Sequence, residues 1–232
     1  MKKNLAIILA GGSGTRLNKE IPKQFLQLAG KPVIAHTIET FETHPGIGHI
    51  FVVTNPVYLE QTAALIEKND YKKVKKVLTG GETRQESSYI GVTAAQEDYE
   101  NVLIHDAARP FVTHSIIDEL IRELASFAAV VPGIPSADTI IKIDAGQLVK
   151  EIPDRTFLRR VQTPQAFKFP LIKQAHQLAL DNNTRHLSDD CSLILKFELA
   201  DICVVPGSPE NIKITYPRDL ILAEEIIKKL QD

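Results

Sequence analysis

Short apolar runs recur along the first 132 residues, at Leu5–Ala10, His49–Thr54, Val74–Thr79, Asn101–His105 and Ala128–Pro132. Each is a few residues long, rich in Val and Ile, and bounded by turn formers, which predicts buried strands. The segments between them carry apolar residues at helical spacing and predict helices over Val33–Thr43, Tyr58–Asn69, Arg84–Glu97 and Ser115–Ser126. Strands that alternate with helices pair in parallel through right-handed crossovers. The expectation is therefore an α/β fold with a doubly wound, mostly parallel sheet. On such sheets ligands bind where the loops collect, at the carboxyl ends of the strands.

Past Ala137 the rhythm changes. Asp138–Asp144 and Gln147–Ile152 alternate polar and apolar residues about Ala145-Gly146. That pattern predicts a hairpin with a glycine turn, an arm over about 138–160 that is either a plain edge hairpin or a dimerisation device. Helices over Phe169–Leu180 and Pro217–Leu230 and a strand over Ile202–Val205 complete the reading. No repeat, low-complexity tract or long linker divides the chain, so one domain spanning 1–232 is expected.

Composition narrows the function classes. Of 232 residues 44% are hydrophobic and 24% charged, enough for a packed core and against global disorder. A net charge of −2 argues against a general nucleic-acid binder. Cys191 and Cys203 lack metal-ligand spacing, and the six-residue apolar run Leu5–Ala10 is too short for a membrane span. Reduced thiols in a cytoplasmic protein, with neither membrane nor nucleic acid as partner, are the expectation.

The candidate chemistry begins where the first strand ends. Ala10-Gly11-Gly12-Ser13-Gly14-Thr15-Arg16 is a glycine loop of the kind that closes backbone N–H groups around phosphate. It lacks the Gly-Lys-Ser/Thr ending of a P-loop and the third glycine of a dinucleotide fingerprint. Arg16 and Lys23, seven residues apart, flank it instead, and Lys23 lies within Ile21-Pro22-Lys23-Gln24. Two cations beside a glycine loop suit a triphosphate whose leaving pyrophosphate needs neutralising. Asp106, at the end of the fourth run, is either a ligand for a phosphate-bridging divalent cation or a carboxylate paired with Arg109 or capping the next helix. His105 sits in an apolar run and reads as a packed core histidine. A nicotinamide-dependent oxidoreductase would need a carboxylate after the second strand, and Val52-Val53-Thr54-Asn55 has none. A non-catalytic nucleotide-binding module would be favoured by loss of Arg16, Lys23 or Asp106, and all three are present.

Taken in order, Leu9–Leu17, Pro22–Leu26, Gly80–Arg84 with Ser87, His105–Pro110, Asp138-Thr139, Arg155, Gln162–Phe167, Ser188–Asp190 and Asn211–Thr215 resemble one family over nearly the whole chain. It is the nucleotidyltransferases with a glycine loop before Arg and a Pro-Lys pair, and within them the methylerythritol phosphate and ribitol phosphate cytidylyltransferases. The resemblance implies a Rossmann-like nucleotidyltransferase with a protruding hairpin arm. Such an enzyme transfers CMP from CTP to a polyol phosphate with Mg²⁺ and works as a homodimer. It implies catalytic roles for Arg16, Lys23 and Lys213. Nucleotide contacts fall to Ala10, Gly11, Gly12, Ser13, Gly14, Thr15, Gly81, Arg84, Ser87, Asp106 and Ala107, with Asp106 as the metal ligand. Asp138, Thr139, Arg155, Thr163 and Ser188 become contacts to the polyol phosphate, the arm residues serving the partner subunit's site, and Arg109 a structural or polyol-side contact. The chain departs from the erythritol-type pattern at Ala10-Gly11-Gly12, where Ala-Ala-Gly is usual, and at Leu158-Arg159-Arg160-Val161, where an aromatic often follows the leucine. Ser188 stands where a threonine is usual. Glu86–Gly91 and His105–Pro110 fit the erythritol type. The breadth of the family favours methylerythritol phosphate, with ribitol phosphate close behind.

Overall fold

A computed structural model describes residues 3–12, 22–95, 99–185 and 187–231. Its centre is strand β1 (Lys3–Ala10), flanked in parallel by β4 (Ile47–Thr54) and β6 (Tyr99–Asp106). Beyond β4 lies β5 (Val74–Thr79), also parallel. Beyond β6 the sheet turns mixed. The short strand β11 (Gln165–Lys168) runs antiparallel between β6 and β7 (Ala129–Pro135). Strands β10 (Arg159–Val161), antiparallel, and β12 (Ile202–Pro206), parallel, both pair with β7. The result is an eight-stranded sheet.

Burial on both faces explains why β1 is a continuous apolar run rather than an alternating one. Ala6, Ile8 and Ala10 point into one core with Ile38, Phe41, Val52, Ile117 and Leu120. Leu5, Ile7 and Leu9 point into the other with Val53, Ile104, Phe167, Ile172 and Ile194. Helices α1 (Val33–Thr43) and α4 (His114–Glu123) supply the first layer. Helices α3 (Arg84–Thr93), α5 (Phe169–Asp181) and α6 (Cys191–Lys196) supply the second. Helix α2 (Leu59–Lys68) follows β4, and α7 (Pro217–Gln231) buries Ala223, Ile226 and Ile227 against Leu26, Leu28, Val33 and Ile214. Two-residue strands β2 (Gln27–Leu28) and β3 (Lys31–Pro32) form a small hairpin ahead of α1.

The predicted strands and helices are present, with shifted ends. Helix α3 closes at Thr93, short of the predicted Glu97, whose position lies outside the described residues. The arm is a two-stranded hairpin, β8 (Lys142–Ile143) with β9 (Val149–Glu151), separate from the main sheet. Strands β10 and β11 and helix α6 had no sequence signal, because runs of three to six residues are too short to show a period.

Helix α3 lies close against β1 and β4 because Gly91 has no side chain. A Cβ there would stand 2.6 Å from Cγ2 of Ile7 and 3.2 Å from Cγ2 of Val53. Both are stiff β-branched groups in a filled core. Gly91→Val should therefore destabilise the fold by about 1–3 kcal/mol through overpacking. Urea unfolding checks this, and an unchanged midpoint would refute it.

Candidate active site

Four parallel strands end on the same side of the sheet, and their following residues converge on one cleft of about 360 Å³. Ala10 closes β1 and Gly11 and Gly12 follow it, Asn55 follows β4, Gly81 lies just past β5, and Asp106 closes β6 with Ala107 after it. Lys23 and Gln24, the first turn of α3 (Thr83, Arg84 and Ser87) and Lys213 complete the lining.

Local interactions explain the placing of each part. Gln24, buried, donates through Nε2 to the carbonyl of Ala10 at 2.7 Å, which ties the Pro-Lys-Gln segment to the end of β1. Lys23 is thereby held beside the glycine loop, its Cε 3.5 Å from where a Cβ on Gly12 would be. On the opposite wall α3 begins with a capping box. Thr83 Oγ1 accepts from the Glu86 amide at 3.1 Å, and Glu86 accepts in return from the amides of Thr83 and Glu82. The turn is tight: a Cβ on Gly81 would lie 2.5 Å from Cβ of Glu86, and one on Gly80 2.8 Å from Oγ of Ser87. Gly80-Gly81 is thus required by the close approach of β5 to the start of α3.

Asp106 is the charged centre. Its Oδ1 accepts from Nε of Arg84 at 3.2 Å, and its Oδ2 pairs with Nζ of Lys213 at 2.6 Å. Arg84 Nη1 also binds Oδ2 of Asp190 at 2.7 Å, and Asp190 Oδ1 accepts from Ser88 Oγ at 2.5 Å. Burial opposes ionisation of Asp106, but Arg84 and Lys213 outweigh it and hold the carboxyl well below the usual range. Burial likewise opposes the charge of Arg84, and Asp190 and Asp106 outweigh it, so the guanidinium keeps its proton. Its Nη2 is buried with no hydrogen-bond partner among the described residues.

Several residues expected at the site lie elsewhere in the chain's own fold. Arg109 turns inward and donates to the carbonyl of Asn211 at 2.8 Å. Thr163 is buried behind Asp106, accepting from the Asp106 amide at 3.1 Å. Asp138, Thr139 and Arg155 are exposed on the arm segment and Ser188 is exposed ahead of α6, and none of the four lines the cleft. Ser13, Gly14, Thr15 and Arg16 lie outside the described residues. Sequence reasoning missed Gln24 and Asn55 as wall residues and Asp190 as the anchor of Arg84. Only its place in the Ser188–Asp190 match hinted at Asp190.

His105, as expected, is a core histidine. It is fully buried and its ring packs on Phe41 at a centroid distance of 5.2 Å. Burial pushes it down from the ordinary 6.5 to about 4. Burial lowers His176 and His44 in the same sense.

Comparison with known proteins identifies the family. The family model described as 2-C-methyl-D-erythritol 4-phosphate cytidylyltransferase (IspD) matches residues 5–229. A 2-C-methyl-D-erythritol 4-phosphate cytidylyltransferase of Clostridium botulinum (strain Okra / Type B1) is 42% identical, with 99% of this chain and 100% of that one covered. The bifunctional ribulose 5-phosphate reductase/CDP-ribitol pyrophosphorylase Bcs1 of Haemophilus influenzae is 37% identical over 97% of this chain but only 48% of its own length. Among solved structures, the 4-diphosphocytidyl-2C-methyl-D-erythritol synthase of Anaerococcus prevotii superposes with a TM-score of 0.87 at 30% identity, covering 98% and 96% of the two chains. The 2-C-methyl-D-erythritol 4-phosphate cytidylyltransferase of Thermus thermophilus superposes at 0.76 and 28%, covering 98% and 100%.

The lowered histidines carry a stability consequence. Between about pH 6.5 and 4 the unfolded chain takes up a proton on His105 that the folded chain refuses. Stability from this group is full above 6.5 and drains as pH falls toward 4, by at most ~3 kcal/mol. Thermal unfolding in metal-free buffer from pH 8 to 4 should show that decline. A His105 ring that takes up its proton near 6.5 in the folded protein would refute it.

Proposed function

Since the chain belongs to the 2-C-methyl-D-erythritol 4-phosphate cytidylyltransferase family, we propose that it transfers CMP from CTP to 2-C-methyl-D-erythritol 4-phosphate in isoprenoid precursor synthesis and releases pyrophosphate. Membership makes it a nucleotidyltransferase enzyme. The observation that carries the finer reading is the cleft itself. It gathers the glycine-loop start, Lys23, Gly81, Arg84, Ser87, Asp106 and Lys213 from separate stretches of sequence at the carboxyl ends of parallel strands.

The acceptor phosphate is a dianion near neutral pH and needs no general base. One of its oxygens forms the new bond to the α-phosphorus of CTP as the bond to the β-phosphate oxygen breaks, and pyrophosphate carries away the electron pair. The chain's task is to hold the two phosphates in line and to meet the charge that grows on the non-bridging and leaving oxygens. Lys23 and Lys213, with Arg16, are assigned that charge. The backbone of Ala10–Thr15 cradles the triphosphate, and Gly81, Arg84, Ser87 and Ala107 border the nucleotide. Asp106 fits a magnesium ion. It is ionised and faces the cleft, and this ion takes one or two protein carboxylates and completes its shell with water and phosphate oxygens. When bound there, magnesium would neutralise phosphate charge.

The second substrate's contacts are assigned to Arg109 and Ser188 together with Asp138, Thr139 and Arg155 from a partner subunit. The arm supports a homodimer because it exposes Ile141, Leu148, Val149 and Ile152 at 50%, 63%, 53% and 63%. Apolar side chains clustered on a two-stranded hairpin away from the main sheet gain from burial against a second copy. Among the described residues no helix is long and apolar enough to cross a membrane.

Pyrophosphate release from CTP and magnesium tests the reaction. With methylerythritol 4-phosphate kcat/KM should exceed that with ribitol 5-phosphate by about tenfold or more. The reverse order would move the chain to CDP-ribitol synthesis, and release with neither would remove the assignment. Lys23→Ala and Arg16→Ala should each lower kcat by about 10²–10³ while the fold survives. Near-wild-type turnover in either would cancel that residue's role. Ile152→Asp should shift the protein toward monomer in light scattering and lower turnover with it; a fully active monomer would dismiss the shared site.

A further inference from the structure

Asp106 is gripped by its side chain from the front and by its backbone from behind, and the backbone grip belongs to residues with no charge to offer. The antiparallel ladder between β6 and β11 pairs Ile104 with Gln165, and β11 begins there. Two residues further along β6, the Asp106 amide has no strand partner on that side. It donates instead to the side chain of Thr163, at 3.1 Å. On the other side the Ala107 amide donates to the carbonyl of Leu9 at 2.9 Å.

The Thr163 hydroxyl is held in turn. Its Oγ1 lies 3.0 Å from Nδ1 of His105, whose Nε2 lies 3.0 Å from the carbonyl of Arg109. A carbonyl only accepts, so Nε2 carries the ring proton. In a fully buried neutral ring Nδ1 is then a bare acceptor, and it accepts a hydrogen bond from the Thr163 hydroxyl. That leaves the hydroxyl's lone pairs facing the Asp106 amide, so every donor and acceptor in the chain has one direction. Asn211, also fully buried, fastens the far end. Its Nδ2 donates to the carbonyl of Thr163 at 3.0 Å, and its own carbonyl accepts from Arg109 Nη1. Two residues on is Lys213, whose ammonium meets Asp106.

We propose that Thr163, oriented by the Nε2–H tautomer of His105, is a positioning residue that fixes the Asp106 backbone relative to Lys213, acting through Asp106 rather than by touching the acceptor phosphate. The proposal rests on the reaction assigned above. It departs from the substrate contact that family resemblance gives Thr163, because the hydroxyl's proton and a lone pair are both already engaged inside the protein.

The test compares Thr163→Val, which keeps the shape and loses the hydroxyl, with Thr163→Ser, which keeps the hydroxyl. In pyrophosphate release with CTP and methylerythritol 4-phosphate, Thr163→Val should lower kcat by about tenfold or more and leave the acceptor KM within about threefold. Thr163→Ser should restore most of kcat. A Thr163→Val variant whose loss falls on the acceptor KM would overturn the proposal in favour of direct contact. Unchanged kcat per folded molecule would overturn it in favour of a purely structural hydroxyl. His105→Phe preserves ring packing on Phe41 and removes both nitrogens, so it should also lower kcat; full activity would remove the histidine from the device. Two readouts stand apart from turnover. Nitrogen NMR of the wild-type ring should show a pyrrole-type Nε2 and a pyridine-type Nδ1, and the opposite tautomer would overturn the proposal. Amide exchange at Asp106 should quicken in Thr163→Val and not in Thr163→Ser, and equal exchange would do the same. If the wild type turns over no acceptor, the assigned reaction fails, and these two readouts still decide the clamp.

Discussion

The pairing of one buried carboxylate with two cations organises the site and much of what surrounds it. Asp106 stands at the end of a central strand, where burial alone would favour the neutral acid. It is kept ionised by Arg84 and Lys213, which arrive from α3 and from the segment before α7. Such a triad contributes little net stability, because desolvation offsets most of the Coulomb gain. It does enforce arrangement, since removing any one member strands a charge. Once Lys213 is drawn to Asp106, the adjoining Ile214 amide meets the carbonyl of Ala108 at 2.8 Å and the Ile214 side chain enters the core beneath α7. The last third of the chain is thereby registered against the first.

The same logic runs outward through Arg84. Its second carboxylate, Asp190, is buried, and accepts from Ser88 on α3 while the Asp190 amide donates to Gln165 on β11. Gln165 also donates to Asp189 and accepts from the Cys191 amide. The short strand β11, inserted antiparallel between β6 and β7, is thus what carries the charge network across the sheet. A polar network at this depth is tolerable only when its members are satisfied, and nearly all of these atoms have a partner.

This explains which parts were legible in the sequence. Strands β1, β4 and β5 and helix α1 were readable because each is a single local signal: a run buried on both faces, or a helical stripe, ended by turn residues. The start of the glycine loop, Lys23 and Asp106 were readable as lining of the cleft because they sit in tandem with such elements. Gln24 and Asp190 were not, since their importance lies in contacts 14 and 106 positions away with Ala10 and Arg84. Strand β11 was hidden because four residues cannot display a period, and its antiparallel direction follows from tertiary pairing alone. Arg109, one turn past a strand end, donates through Nη1 to the carbonyl of Asn211, a contact 102 positions away that no local pattern announces.

The cations of the cleft are not equivalent, and the difference follows from their anchors. Arg84 is held by carboxylates on two sides and has an exposure of 23%, so a ligand meets it as a fixed feature. Lys213 is 36% exposed, and among the described residues its one ion pair is with Asp106. An ammonium on a four-carbon stem makes a point contact that a phosphate oxygen can contest, whereas a guanidinium forked between two carboxylates is held by geometry as well as charge. Lys213 is therefore the more readily displaced of the two cations, and Arg84 the more firmly fixed. Such a division requires that Asp106 itself not move when Lys213 turns away. Its remaining supports are then Arg84 at the carboxylate and Thr163 at the amide, one holding the side chain and the other the backbone.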